Sequence, residues 1–187
     1  MTWIATVDES IRIDDRVYVL AACAFEEKDS DVARDTMRAL EPRAGHRLHW
    51  HDRKPPDRHE AVKAVAQLSA LHIVTVGAPI DPRRQERARR QCLETLLFHL
   101  DAAGVEQVWL ESRNAAADRR DIAAVDRFRA RRVIGHAIRI DHARPLDDPL
   151  LWLADIVAGA LGAAEGGDPT FRELLVPMLT EHRIRLD

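Results

Sequence analysis

The stretch TWIATVDESIRIDDRVYVLAACAF, residues 2–25, decides the fold. Its first part, TWIATV, is rich in β-branched and aromatic side chains and stops at Asp8-Glu9-Ser10, which predicts a strand over residues 3–7. Its last part, VYVLAACAF, is apolar throughout, the pattern of a strand buried on both faces. Between them a polar connection over residues 9–16 carries Asp14 and Asp15, and two strands so joined predict an antiparallel hairpin.

Working outward from this hairpin, strands and helices alternate. A helix is predicted over residues 31–40, stopped by Pro42, and HRLHWH (residues 46–51) alternates like a short strand. KPPDR breaks the chain before a helix over residues 58–70. LHIVTVGAPI (residues 71–80) reads as a buried strand, and Asp81-Pro82 supplies an N-cap and an N1 proline for a helix that ends at Gly104. VEQVWLES (residues 105–112) and VIGHAIRID (residues 133–141) are strands around a charged helix over residues 118–132. Asp148-Pro149 opens an apolar helix, and residues 169–184 are expected to form a C-terminal one. The fold class is therefore α/β, a mixed sheet flanked by helices. No repeat or linker divides the 187 residues, so 1–187 is expected to be a single domain.

The net charge of -3 excludes a protein that is basic overall, though not a local basic patch. Cys23 and Cys92 sit apart in apolar surroundings, which argues against a disulfide framework, a zinc knuckle or a cysteine nucleophile. The first ten residues lack a basic region, and VYVLAACAF is too short to span a bilayer, so a cytoplasmic location is expected.

Three carboxylates stand out. In α/β sheets ligands collect beyond the carboxyl ends of parallel strands, and Asp8 and Glu111 each follow such a strand. Adjacent parallel strands lie about 4.8 Å apart, so the two acids would share one site. Like charges that close need a proton or a cation between them, and Mg2+ or Mn2+ suits carboxylate oxygens. Asp155 lies in the middle of PLLWLADIVAGALGAA (residues 149–164), where an unpartnered charge is too costly to bury. Its helical neighbours Ala158, Gly159 and Gly162 are small, so the helix can lie close to the strand ends and bring in a third carboxylate. Each acid also has a structural reading: Asp8 opens a turn, Glu111 merely ends a strand, and Asp155 pairs with Arg139 or Arg144. Glu9 points away from Asp8 in a regular strand and ranks below it. Asp148, with Asp147, is the other candidate for a fourth acid, while Asp118 and Asp121 are expected on a solvated helix face.

VDES, VYVLAACAF, LHW, VWLES and LLWLADIVAGAL together resemble the domain of unknown function 3800 family of bacterial and phage proteins, over nearly the whole chain. The most specific part is the late helix, Leu-x-x-Ala-Asp-x-x-Ala-Gly in that family and Leu151 to Gly159 here. The resemblance implies an RNase H-like fold and metal-dependent phosphodiester chemistry. Carried over by position, it implies Asp8, Glu111 and Asp155 as catalytic metal ligands, with His49 nearby. Two positions depart from the pattern: Ile11 stands where the family has glycine, and Glu111 where it often has aspartate.

Arg83, Arg84, Arg87, Arg89 and Arg90 crowd one helix start, which suits either a phosphate-tracking patch or a plain solvated face. Arg113, close after Glu111, is the leading candidate to contact a phosphate, and His49 to orient a phosphate or water. His49 and His51 with His46, Asp52 or His59 offer a weaker zinc alternative. Phosphate-binding glycine loops and the nucleophile-elbow serine motif are missing from the sequence. The leading expectation is a metal-dependent nuclease or related phosphodiester hydrolase with a nucleic-acid partner and no membrane. A non-catalytic nucleic-acid or protein-binding domain is the alternative, and a homodimer stays open.

Overall fold

The computed structural model describes residues 1–41 and 46–186. Six strands form one sheet: β1 (Trp3–Arg12), β2 (Val17–Glu26), β3 (Ala70–Ala78), β4 (Val105–Glu111), β5 (Arg139–Ala143) and β6 (Leu179–Arg185). The described helices are α1 (Ser30–Ala39), α2 (Pro55–Ala66), α3 (Gln85–Ala102), α4 (Ala115–Ala130), α5 (Leu151–Glu165) and the short α6 (Thr170–Glu173). Strand order is β5-β4-β1-β2-β3-β6. β2 is antiparallel to both β1 and β3, whereas β1–β4, β4–β5 and β3–β6 are parallel pairs.

The sheet is covered on both faces, which explains why β2 is apolar along its length. Val17, Val19, Ala21, Cys23 and Phe25 pack toward α1, α2 and α5; Tyr18, Leu20, Ala22 and Ala24 pack toward α3 and α4. On β1 the same alternation sends Ile4 to the α5 side and Ala5 and Val7 to the α3 side. Helix α5 is buried nearly all round, with Leu153, Ile156, Val157 and Leu161 fully enclosed. Each such side chain contributes roughly 1.5–3 kcal/mol relative to exposure.

Several boundaries differ from the sequence reading. β1 continues past Val7 to Arg12, because β2 keeps pairing with it as far as Arg12↔Val17, while β4 pairs only to Val7↔Leu110. Residues 46–49 are not a strand; they lead into a 3-10 turn at Trp50–Asp52. Pro55 and Pro56 start α2 rather than breaking the chain, as prolines at N1 can. Asp81 does cap, accepting from the Arg83 N–H at 2.9 Å, but it caps a 3-10 turn that precedes α3. α4 begins earlier than expected because the Asn114 side chain accepts from the Ala116 and Ala117 N–H groups. The strand expected over residues 133–141 shrinks to β5, whose described range starts at Arg139. The largest correction is at the end of the chain. The expected C-terminal helix is only α6, followed by a 3-10 turn and by β6 on the edge beside β3. Pro42, expected to stop the first helix, lies outside the described residues.

One buried group sets an acid limit on this fold. His72 in β3 is 1% exposed, neither ring nitrogen has a hydrogen-bond partner, and its register partners are Cys23 and Leu179. Burial pushes its pKa down from 6.5 to about 4. The unfolded chain therefore gains a proton below about pH 6.5 that the fold refuses until about pH 4. Stability is full above that window and falls through it by about 3 kcal/mol. His72→Leu is expected to flatten this slope in urea melts between about pH 7 and pH 4. An unchanged slope would assign the acid sensitivity to other groups.

Candidate active site

The parallel register ends at Val7↔Leu110, so the next residues, Asp8 within β1 and Glu111 at the carboxyl end of β4, lie side by side where the two strands part. Both belong to the strand parity that faces α5, and α5 presents Asp155 to them. Asp8 and Glu111 are hydrogen-bonded to each other, and both feel the charge of Asp155. Burial first, then Glu111 and Asp155, push the Asp8 carboxyl well above its usual range. Glu111 is raised too, by burial and Asp155, with Arg47 opposing. Two carboxyls in this situation hold a proton between them unless a cation intervenes.

Asp155 is 7% exposed and is satisfied from residues 49 and 50. The Trp50 backbone N–H donates to Oδ2 at 2.7 Å, and His49 Nδ1 lies 3.3 Å from Oδ1. That hydrogen bond raises the His49 pKa, with burial opposing. The small residues of α5 have distinct uses. A Cβ on Gly162 would stand 2.5 Å from Ser10 Oγ, so this position lets the helix meet β1. A Cβ on Gly159 would stand 2.2 Å from Trp50 Cγ, so Gly159 seats the indole whose backbone holds Asp155. Arg47, two residues before His49, places Nη1 3.0 Å from Glu111 Oε1. It was not among the candidates from sequence. Its signal was the i, i+2 spacing with His49, which puts both on one side of an extended segment.

Other expected site residues lie elsewhere. Glu9 faces the opposite side of the sheet and pairs with Arg89, so it is not a fourth acid; its backbone N–H donates to Asp8 Oδ1 at 2.7 Å. Asp148 pairs with Arg34 at 3.0 Å and accepts from the Leu150 N–H, so it fixes the turn before α5 rather than joining the cluster. Arg113 is turned to Glu86 and Asp121, away from Glu111, which corrects its proposed phosphate role. A loop that follows a strand end is free to carry its side chain to either face. Asp121, expected in solvent, is 4% exposed and clamped by Arg89 and His142. Arg89 itself is 3% exposed and so no part of a surface patch. Asp118 accepts from Ser112 Oγ and the Arg113 N–H, fixing the segment after β4.

The donor chemistry at Asp8, Glu111 and Asp155 fits a hard divalent cation, since such an ion takes carboxylate oxygens and its charge offsets the burial and the repulsion that now raise Asp8. Their present placement is less direct. Among the described residues no three His, Cys, Asp or Glu side chains converge closely enough to hold an ion. Glu111 and Asp155 instead face Arg47 and His49. The same finding removes support from the zinc alternative; the His49 and His51 rings meet edge-on with centroids 5.5 Å apart. Among the described residues no helix is long and apolar enough to cross a membrane.

No protein-family model matches the chain, and no curated protein matches it. Among solved structures, the chain is similar to one from the PCNA:RNase HII complex of Archaeoglobus fulgidus, with a TM-score of 0.54 and 14% identity. The match covers 93% of this chain and 87% of that one. At this identity the likeness is one of fold: the mixed sheet and its flanking helices are RNase H-like.

Proposed function

We propose that this chain, as a single domain, is a divalent-metal-dependent phosphodiester hydrolase acting on nucleic acid, with Asp8, Glu111 and Asp155 as the residues that would hold Mg2+ or Mn2+. The observation that supports the reading is that Asp8 on β1 and Glu111 on β4 stand side by side where the parallel pairing of the two strands ends, and both feel the charge of Asp155 on α5. Resemblance to the domain of unknown function 3800 family falls on the same three residues, and the RNase H-like fold is compatible with it. When bound, such a cation polarises the phosphate and lowers the pKa of an attacking water. The chain's own contribution is to hold the acids: Trp50 and His49 fix Asp155, and the Glu9 N–H fixes Asp8.

The second reading, a non-catalytic binding domain, draws on the Arg47–Glu111 pair, which neutralises one acid without metal. A thermal melt separates the two. Under the hydrolase reading, Mg2+ or Mn2+ at about a hundred times its Kd stabilises by about 2.7 kcal/mol and raises Tm by about 5 °C or more. Cleavage of at least one member of a panel of single-stranded, duplex and hybrid substrates is expected with it. No shift and no cleavage would sink the hydrolase reading and leave the binding domain.

A further inference from the structure

The acid cluster has one arginine at its mouth. Arg47 is 38% exposed against 17% for its partner Glu111, so the guanidinium lies on the solvent side of the carboxylate. Among the described residues no other arginine bonds Asp8, Glu111 or Asp155. Arg34, Arg113 and Arg144 are committed to Asp148, to Glu86 and Asp121, and to Asp147. Arg89, whose charge lowers the Asp8 pKa, lies on the opposite face and is paired with Glu9. A cation arriving at Glu111 therefore meets Arg47 as its direct competitor.

We propose that Arg47 exchanges partners: it neutralises Glu111 until a divalent cation takes that carboxylate, and then binds a phosphate oxygen of the nucleic acid. This rests on the hydrolase reading and names the substrate contact of that site. Two cations compete for one carboxylate, and a divalent ion at Glu111 also answers the burial and the repulsion that raise the neighbouring Asp8, whereas Arg47 bonds only Glu111. A part-exposed ion pair is weak, so giving it up costs little. The released guanidinium is still at the mouth of the site, always charged and shaped for phosphate oxygens. Arg113 is unsuited to that task because it is held across the sheet.

Mn2+ titrations followed by electron paramagnetic resonance test the exchange on wild type, Arg47→Gln, Glu111→Gln and the double variant. Arg47→Gln is expected to bind Mn2+ about two- to fivefold more tightly, and to have no such effect once Glu111 is Gln. Fluorescence anisotropy then reads binding of short, labelled, phosphorothioate-protected single-stranded, duplex and hybrid oligonucleotides in Mn2+. Arg47→Gln is expected to weaken the best-bound probe about tenfold. Opposite effects on metal and oligonucleotide are what a merely structural arginine would not give. If wild type binds Mn2+ but Arg47→Gln binds it no more tightly, or the gain survives Glu111→Gln, the exchange is overturned and the hydrolase reading stands. Unchanged oligonucleotide affinity, or no probe bound by wild type, overturns the phosphate half. Absence of Mn2+ binding in both wild type and Arg47→Gln overturns the exchange together with the hydrolase reading.

Discussion

Asp155→Asn is expected to reduce metal-dependent cleavage by at least about a hundredfold, since even the groups supporting metal ligands cost ten- to a hundredfold when lost. The fold should survive. An asparagine oxygen still accepts from the Trp50 N–H, so the indole stays seated over Gly159. What disappears is a charge that now pushes up both Asp8 and Glu111. A carboxyl held above its ordinary pKa takes up a proton on folding, so its contribution to stability is lost as pH rises through that raised value. Removing one cause of the rise should therefore leave Tm equal or higher near neutral pH without metal, and this gain should vanish in acid. The Mg2+-dependent rise in Tm should go as well. A variant that cuts at the wild-type rate would take Asp155 out of the chemistry.

The second large effect lies across the sheet. Arg89→Met is expected to cost about 3–5 kcal/mol in urea unfolding near neutral pH, because it strands Asp121 and Glu9 without their shared cation. Burial alone would raise the Asp121 pKa, but the His142 hydrogen bond and the Arg89 and Arg113 guanidiniums hold it far below the usual range. A depressed carboxyl contributes stability above its unfolded pKa and loses it as pH falls, so the penalty should shrink in acid. Adding Asp121→Leu to Arg89→Met should recover part of the loss, since removing a whole buried pair costs less than breaking it. A loss below about 1 kcal/mol would mean that water reaches the pair and screens it.

Much of this was legible in the sequence because each clue was a local misfit. Asp155 contradicts its apolar surroundings, and Asp8 and Glu111 each follow a run rich in β-branched and aromatic residues. Strand parity separated Asp8 from Glu9, and the structure divides them between the two faces. β6 was illegible for a physical reason: Leu175, Met178 and Leu179 recur at helical spacing, so an edge strand began inside an apparent helix. Arg47 was overlooked because residues 46–51 read as a short strand with nothing to tie it to the acids, and only tertiary contact, which spacing along the chain does not reveal, brings it to Glu111. Arg113 and Asp121 misled because nearness along the chain to Glu111 says nothing about which side of the sheet a loop or helix will serve.

The division of Asp8 and Glu9 between two layers makes the frame of β1 unforgiving. Deleting Val7, or inserting a single residue between Val7 and Asp8, would turn the strand end over. It would bring the longer Glu9 carboxylate under α5 and set Asp8 before the enclosed guanidinium of Arg89. Both compartments would then hold an acid of the wrong reach, although the amino-acid composition of the strand would be almost unaltered.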